Sequence, residues 1–141
     1  MKRLILTLAI VMAAAAPTAL ASQSTLRIAP TKLNFGTRPV GTETIKSALI
    51  TNRSASPVLV TFDIVSMPDD YGFEAPGFTC PPAGGFVLAP GESCEATAAY
   101  RPTEFFAGTT ETAAVDIVAS DPSTGTVLAT ETLTMRGTGR I

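Results

Sequence analysis

The sequence predicts an all-β domain, a sandwich of short antiparallel strands, and three observations predict it. Apolar and polar residues alternate along one segment after another, the period of two that a half-buried strand shows. Eleven glycines and ten of the eleven prolines punctuate those segments at short intervals, and these are the residues that set turns. Beyond residue 21 no apolar period of helical length occurs.

The first 21 residues stand apart from this pattern. Lys2 and Arg3 are basic, Leu4 to Ala16 is apolar except for Thr7, and Ala19-Leu20-Ala21 is a small-x-small cleavage site. This reads as a secretory signal peptide over 1–21, because the apolar stretch is shorter than the ~18 residues that span a bilayer. No cysteine follows it, which argues against a lipid anchor. Residues 22–141 are then expected to form a single domain, periplasmic or secreted, with no stable membrane insertion after cleavage. A chain of about 120 residues buries roughly two-thirds of its unfolded surface, enough for one core.

Each element follows in order. Leu26 to Ala29 alternates, Pro30-Thr31 interrupts, and Lys32 to Phe35 resumes, so the first strand is broken by proline and suits a sheet edge. Ile45 to Asn52 is the second strand, and polarity alone does not decide which face turns inward. Asn52-Arg53-Ser54-Ala55-Ser56-Pro57 is a turn. Val58 to Val65 alternates most clearly, which places Val58, Val60, Phe62 and Ile64 in the core. Phe73 to Phe78 and Phe86 to Leu88 are short strands on either side of a Pro/Gly-rich loop. After the Pro90-Gly91 turn, Cys94, Ala96, Ala98 and Tyr100 share one face of a central strand that Pro102 stops. Ala113, Val115, Ile117 and Ala119 line the next strand. Asp121-Pro122-Ser123-Thr124-Gly125 signals a hairpin loop, and a last strand runs from Thr126 to about Arg136, with Gly137-Thr138-Gly139 ending the domain. Seven to eight strands, with turns about every 8–12 residues, are what an immunoglobulin-like antiparallel β-sandwich requires.

Composition excludes several functions. Lys plus Arg number 10 against 12 Asp plus Glu, a net charge of −2 that becomes −4 without Lys2 and Arg3. Neither a basic stripe nor a charge run is present, so nucleic acid is not an expected partner. The sequence has no histidine, which removes Ser-His-Asp and Cys-His catalysis, histidine zinc sites and imidazole acid/base chemistry together. No cofactor is implied.

The candidate sites are few. Cys80 and Cys94 have 13 residues between them. In an exported chain they read first as a structural disulfide, and closing a loop of about 15 residues contributes roughly 3 kcal/mol. A redox or metal pair is the lesser alternative, since the spacing is not Cys-x-x-Cys and no other thiol or imidazole is available. Asp69, Asp70 and Glu74 lack the ordered oxygen ligands of a calcium loop and read as an exposed turn. Asp116 and Glu131 are conceivable as a carboxylate pair on neighbouring strands, although solvated outward positions explain them more simply. Met67 and Met135 are too few for a copper site, and Met135 belongs in the core. Asn52-Arg53-Ser54 is formally a glycosylation sequon. Phe105 and Phe106 are the candidate partner contact: adjacent residues of a strand face opposite ways, so one is left exposed unless the loop packs both. Phe73 and Phe78 carry the same ambiguity.

One series of motifs goes beyond periodicity. Leu33-Asn34-Phe35-Gly36, Val40-Gly41-Thr42, Leu49-Ile50-Thr51-Asn52, Ser56-Pro57-Val58, Leu88-Ala89-Pro90-Gly91-Glu92-Ser93-Cys94, Tyr100-Arg101-Pro102-Thr103 and Leu133-Thr134-Met135-Arg136-Gly137-Thr138-Gly139 occur in that order. From Leu26 to Gly139 the chain resembles the bacterial choice-of-anchor D domains, of the ASPM/SPD-2/Hydin (ASH) immunoglobulin-like group related to the major sperm protein fold. The resemblance implies an exported or surface module, structural or adhesive, with no catalytic residues and with a disulfide at the cysteine pair. Two departures stand out: the chain carries one copy and stops at Ile141, and Tyr100 takes the place of a more usual phenylalanine.

The functional expectation is a non-enzymatic structural or protein-binding module of the bacterial cell envelope, its partner an unknown envelope or extracellular protein. The alternative is a fimbrial or adhesin-type component, which the complete last strand argues against. A carbohydrate-active hydrolase ranks lower still.

Overall fold

The computed structural model describes residues 24–66, 72–78 and 85–141, with only the backbone over 74–78. The signal segment 1–21, Met67, Asp69, Asp70 and Cys80 lie outside the described residues. The described residues form nine strands: β1 (Leu26–Ala29), β2 (Lys32–Pro39), β3 (Thr44–Asn52), β4 (Val58–Ser66), β5 (Phe73–Phe78), β6 (Phe86–Leu88), β7 (Ser93–Tyr100), β8 (Thr110–Ser120) and β9 (Val127–Arg140), with a 3-10 turn at Glu104–Phe106. They form an immunoglobulin-like sandwich of two sheets, ordered β1-β3-β7-β5 and β2-β9-β8-β4-β6. No helix among the described residues is long and apolar enough to cross a membrane.

The proline-broken first strand becomes two strands in different sheets. β1 pairs antiparallel with β3; after Pro30-Thr31 the chain crosses the sandwich, and β2 pairs with β9. Both halves lie at sheet edges, where a missing N–H does not interrupt a ladder. The β2–β9 pairing is parallel, a departure from an all-antiparallel arrangement. Parallel partners need a long connection, and nearly the whole domain separates these two strands. Leu26, Ile28, Leu33 and Phe35 point from the two halves into one core.

The alternating segments bury the expected faces with one correction. Ala96, Ala98 and Tyr100 of β7 and Ala113, Val115, Ile117 and Ala119 of β8 are buried, and β7 lies between β3 and β5. In β4, Val58 and Val60 are sealed and Phe62 is partly buried, but Ile64 is 59% exposed. β6 covers β4 only along Val58–Val60, and the pairing with β8 is bulged between Ile64 and Ser66, so the far end of β4 leaves the core. β3 settles its ambiguity by turning Ala48, Ile50 and Asn52 inward and leaving Ile45 and Leu49 exposed.

The ends of the last hairpin are also defined. Asp121 Oδ1 accepts the Ser123 hydroxyl and the Ser123 and Thr124 N–H groups, which builds the β8–β9 turn. Gly137-Thr138-Gly139 does not end the last strand: β9 continues through Arg140, paired with β2 on one side and β8 on the other.

Candidate functional site

The last residue of β7 anchors the end of the sandwich where the chain leaves the central strand. Tyr100 is fully buried, its ring 4.6 Å from that of Phe73 and 5.6 Å from that of Phe35 between centroids. Phe35 and Phe73 complete the trio edge to face at 5.7 Å. Phe73 is therefore a core residue and not a surface anchor, while the Phe78 side chain lies outside the described residues. The Tyr100 hydroxyl donates to Glu111 Oε2 at 2.7 Å, and Glu111 Oε1 accepts the Gly72 N–H at 3.1 Å. Burial pushes the Tyr100 phenol well above its ordinary range, and the hydrogen bond and charge of Glu111 push the same way.

Three glycines give this exit its shape. A Cβ on Gly137 would lie 2.4 Å from a Tyr100 ring carbon, one on Gly72 2.4 Å from the Arg101 carbonyl oxygen, and one on Gly139 2.8 Å from the Pro102 ring. Gly72 also accepts the Arg101 N–H, and the Pro102 carbonyl accepts the Gly41 N–H. Arg101 pairs with Glu43 at the surface. Two motifs distant in sequence, Tyr-Arg-Pro and Gly-Thr-Gly, thus meet as ring on glycine. The Tyr100–Glu111 pair is sealed from solvent with both carboxyl oxygens occupied, so its chemistry is structural.

Beyond Pro102 the chain makes the 3-10 turn that carries the candidate partner contact. Phe105 is 87% exposed and Phe106 partly buried, their rings edge to face with centroids 4.8 Å apart. The pair sits on a turn rather than a strand, so the expected opposite-face geometry does not apply. The turn is tied down: Phe106 N–H donates to the Thr103 carbonyl, Ala107 N–H to Glu104, and Gly108 N–H to Gly139.

Other sequence candidates separate. Cys94, on β7, packs partly buried against the core, and its expected partner Cys80 is outside the described residues. Asp116 and Glu131 are not a pair. Asp116 faces outward opposite Asp63 and accepts the Thr132 hydroxyl at 2.6 Å, whereas Glu131 is in register with Ile117 on the other face and accepts the Ser24 hydroxyl. Met135 is core, as expected. Among the described residues no three acidic, cysteine or histidine side chains gather to hold a metal. Asn52 is no glycan acceptor in the fold. It is completely buried, and its Nδ2 donates to the Ser56 and Leu88 carbonyls at 2.8 and 3.0 Å.

Glu111 escaped the sequence reading. Its signal was the alternation of β8, which places position 111 on the same face as Ala113 and Val115 when carried back one step. A glutamate at an inward position beside a core tyrosine marks a buried hydrogen bond.

Comparison with known proteins bears on the fold. No family model matches the sequence, and no curated protein matches it. Among solved structures, the chain is similar to a human domain described as the ASH/PapD-like domain of CEP192 (PapD-like domain 7), with TM-score 0.64, 10% identity, and 92% of this chain and 95% of that one covered. It is similar to an MSP family member of C. elegans, WR4, with TM-score 0.54, 12% identity, and 83% and 99% covered. The E. coli chaperone DraB gives TM-score 0.56 and 12% identity, with 79% of this chain covering 53% of that one, about half the chaperone's length. At these identities the likeness is one of fold: an immunoglobulin-like sandwich of the ASH, PapD-like and MSP type.

Proposed function

We propose that this chain is an exported, non-enzymatic protein-binding module of the bacterial cell envelope, of the choice-of-anchor D kind. The observation that carries the reading is Phe105, a large apolar side chain 87% exposed on a turn that backbone hydrogen bonds fix to β9. A single exposed apolar residue is common, but one on a rigid turn pays little ordering entropy when a partner covers it. The order of the sequence motifs and the PapD-like and MSP-like fold support the same class. A fimbrial subunit that awaits a donated strand has less support, because β9 spans 14 residues and is paired on both sides.

The test is site-specific photocrosslinking in cells. A benzophenone amino acid at position 105 should capture a defined envelope protein, and the same group at exposed Thr130 should not. Equal capture at both positions, or none at 105, would count against the reading.

A further inference from the structure

The outer face of the larger sheet is hollowed into a groove of about 520 Å3 over β2, β9 and β8. Strand register sets its polar lining in two rows: Lys32, Thr134 and Ser66 in one, Asn34, Arg136 and Thr112 in the next. Residues between the rows turn into the core, so backbone forms much of the floor. Every polar side chain in this lining can donate a hydrogen bond, and none is a carboxylate.

Two cations stand here without a counter-charge among the described residues. The side chains of Lys32 and Arg136 make no ion pair or hydrogen bond with the described residues. They are diagonal neighbours on adjacent strands, roughly 8 Å apart from strand spacing and rise. Their repulsion is relieved when one anionic group lies between them. Asn34 adds a directed donor: at the bulge between Asn34 and Gly36 its Oδ1 accepts the Gly36 N–H at 2.9 Å, which leaves Nδ2 to donate outward. Among the described residues the carboxylates of this face, Asp63 and Asp116, oppose each other one row nearer the β8–β9 turn, so the described face has an acidic and a basic half.

We propose that this groove binds a small organic anion bearing a phosphate or carboxylate group, with Lys32 and Arg136 holding the charged end. A bare ion would leave most of the volume empty, whereas the size lies within the range of about 300–1,000 Å3 of small-molecule sites. Arginine suits either planar or tetrahedral oxyanions because its fork donates two parallel hydrogen bonds.

The test is an NMR titration of the 15N-labelled protein with phenyl phosphate and, separately, with benzoate, at ionic strength held constant with chloride. At least one probe should give saturable shifts confined to amides near residues 32–36, 112–114 and 134–136. The Lys32→Gln/Arg136→Gln variant, which alters only exposed side chains, should weaken that affinity by about tenfold or more while keeping the native spectrum. If the double variant loses its native spectrum, either single variant serves. Saturation by one probe alone identifies the charged group. Shifts that rise without saturating, that spread equally to Arg27 and Arg140, or that persist in the charge-removed variant overturn the proposal.

Discussion

The ring of Tyr100 occupies the space that a side chain at Gly137 would need, with ring carbons 2.4 to 2.7 Å from where a Cβ would sit. The contact joins the exit of the central strand to the last strand of the opposite sheet, so the two sheets are locked at one end by a glycine. Gly137→Ala should therefore displace the ring and with it the Tyr100–Glu111 hydrogen bond. Overpacking of this kind costs about 1–3 kcal/mol. Urea unfolding of the variant checks it, and an unchanged midpoint would show that the ring moves aside freely.

Tyr100→Phe keeps that packing and removes only the hydroxyl. Glu111 then retains the Gly72 N–H but loses its second donor in a buried site, at a cost of about 1–3 kcal/mol.

The same pair sets a pH dependence at the alkaline end. The unfolded phenol ionises at its ordinary value of 10.0, while the folded one keeps its proton to higher pH. Above about pH 10 the unfolded state therefore binds fewer protons than the native state, and stability falls as pH rises. Below that pH the contribution is fully present. Wild-type stability should drop more steeply than that of Tyr100→Phe in denaturant titrations above about pH 10, and parallel curves would rule this origin out.

These features mark where sequence reading succeeded and where it stopped. Period-two alternation placed the inward faces of β7 and β8 correctly, because a strand flanked on both sides has a buried face along its whole length. It failed at Ile64, where β4 outruns its neighbour β6, since the length of a flanking strand is not written in β4 itself. The parallel β2–β9 pairing and the Tyr100–Gly137 contact join positions far apart in sequence, and local pattern has no access to them. Asp116 and Glu131 looked like neighbours until register placed them on opposite faces. What identified Glu111 as the partner of the Tyr100 hydroxyl was the sheet geometry.

The cysteine pair carries a separate prediction. Cys94 packs partly buried beside the core of β7, and a bond to Cys80 would close the segment between them. Cys80→Ser and Cys94→Ser should each lower the melting temperature under oxidising conditions, by the equivalent of roughly 3 kcal/mol, and change little under reducing ones. Equal melting temperatures for wild type and variants in both conditions would sink the disulfide.

Asp121 gives the opposite pH sign at a surface turn. Hydrogen bonds from Ser123, first its hydroxyl and then its N–H, hold the carboxyl below its ordinary value, so its contribution is present above the unfolded pKa and lost as pH falls. Asp121→Ala should destabilise the protein near neutral pH and cease to differ from wild type in acid. A difference that persists undiminished at low pH would point to the turn backbone instead.

The most demanding polar site is Asn52. Its Nδ2 donates to the Ser56 and Leu88 carbonyls, its Oδ1 accepts the Ser54 N–H and hydroxyl, and its backbone bonds to Glu92 and Gly91. One buried side chain thus ties the end of β3 to the turn before β4 and to the end of β6. Asn52→Ala removes both Nδ2 bonds and the acceptor for the Ser54 N–H, leaving the Ser56 carbonyl only the Ser54 hydroxyl as a side-chain donor, and should cost roughly 3 kcal/mol. Asn52→Asp is nearly isosteric and keeps the acceptor for Ser54, but it turns an oxygen toward those same carbonyls. Repulsion then adds to the missing bonds, so Asn52→Asp should be at least as destabilised as Asn52→Ala near neutral pH and recover part of the loss in acid, where a protonated carboxyl can donate once. Paired urea titrations at the two pH values measure this, and an aspartate variant as stable as wild type at neutral pH would show that the Nδ2 bonds contribute nothing.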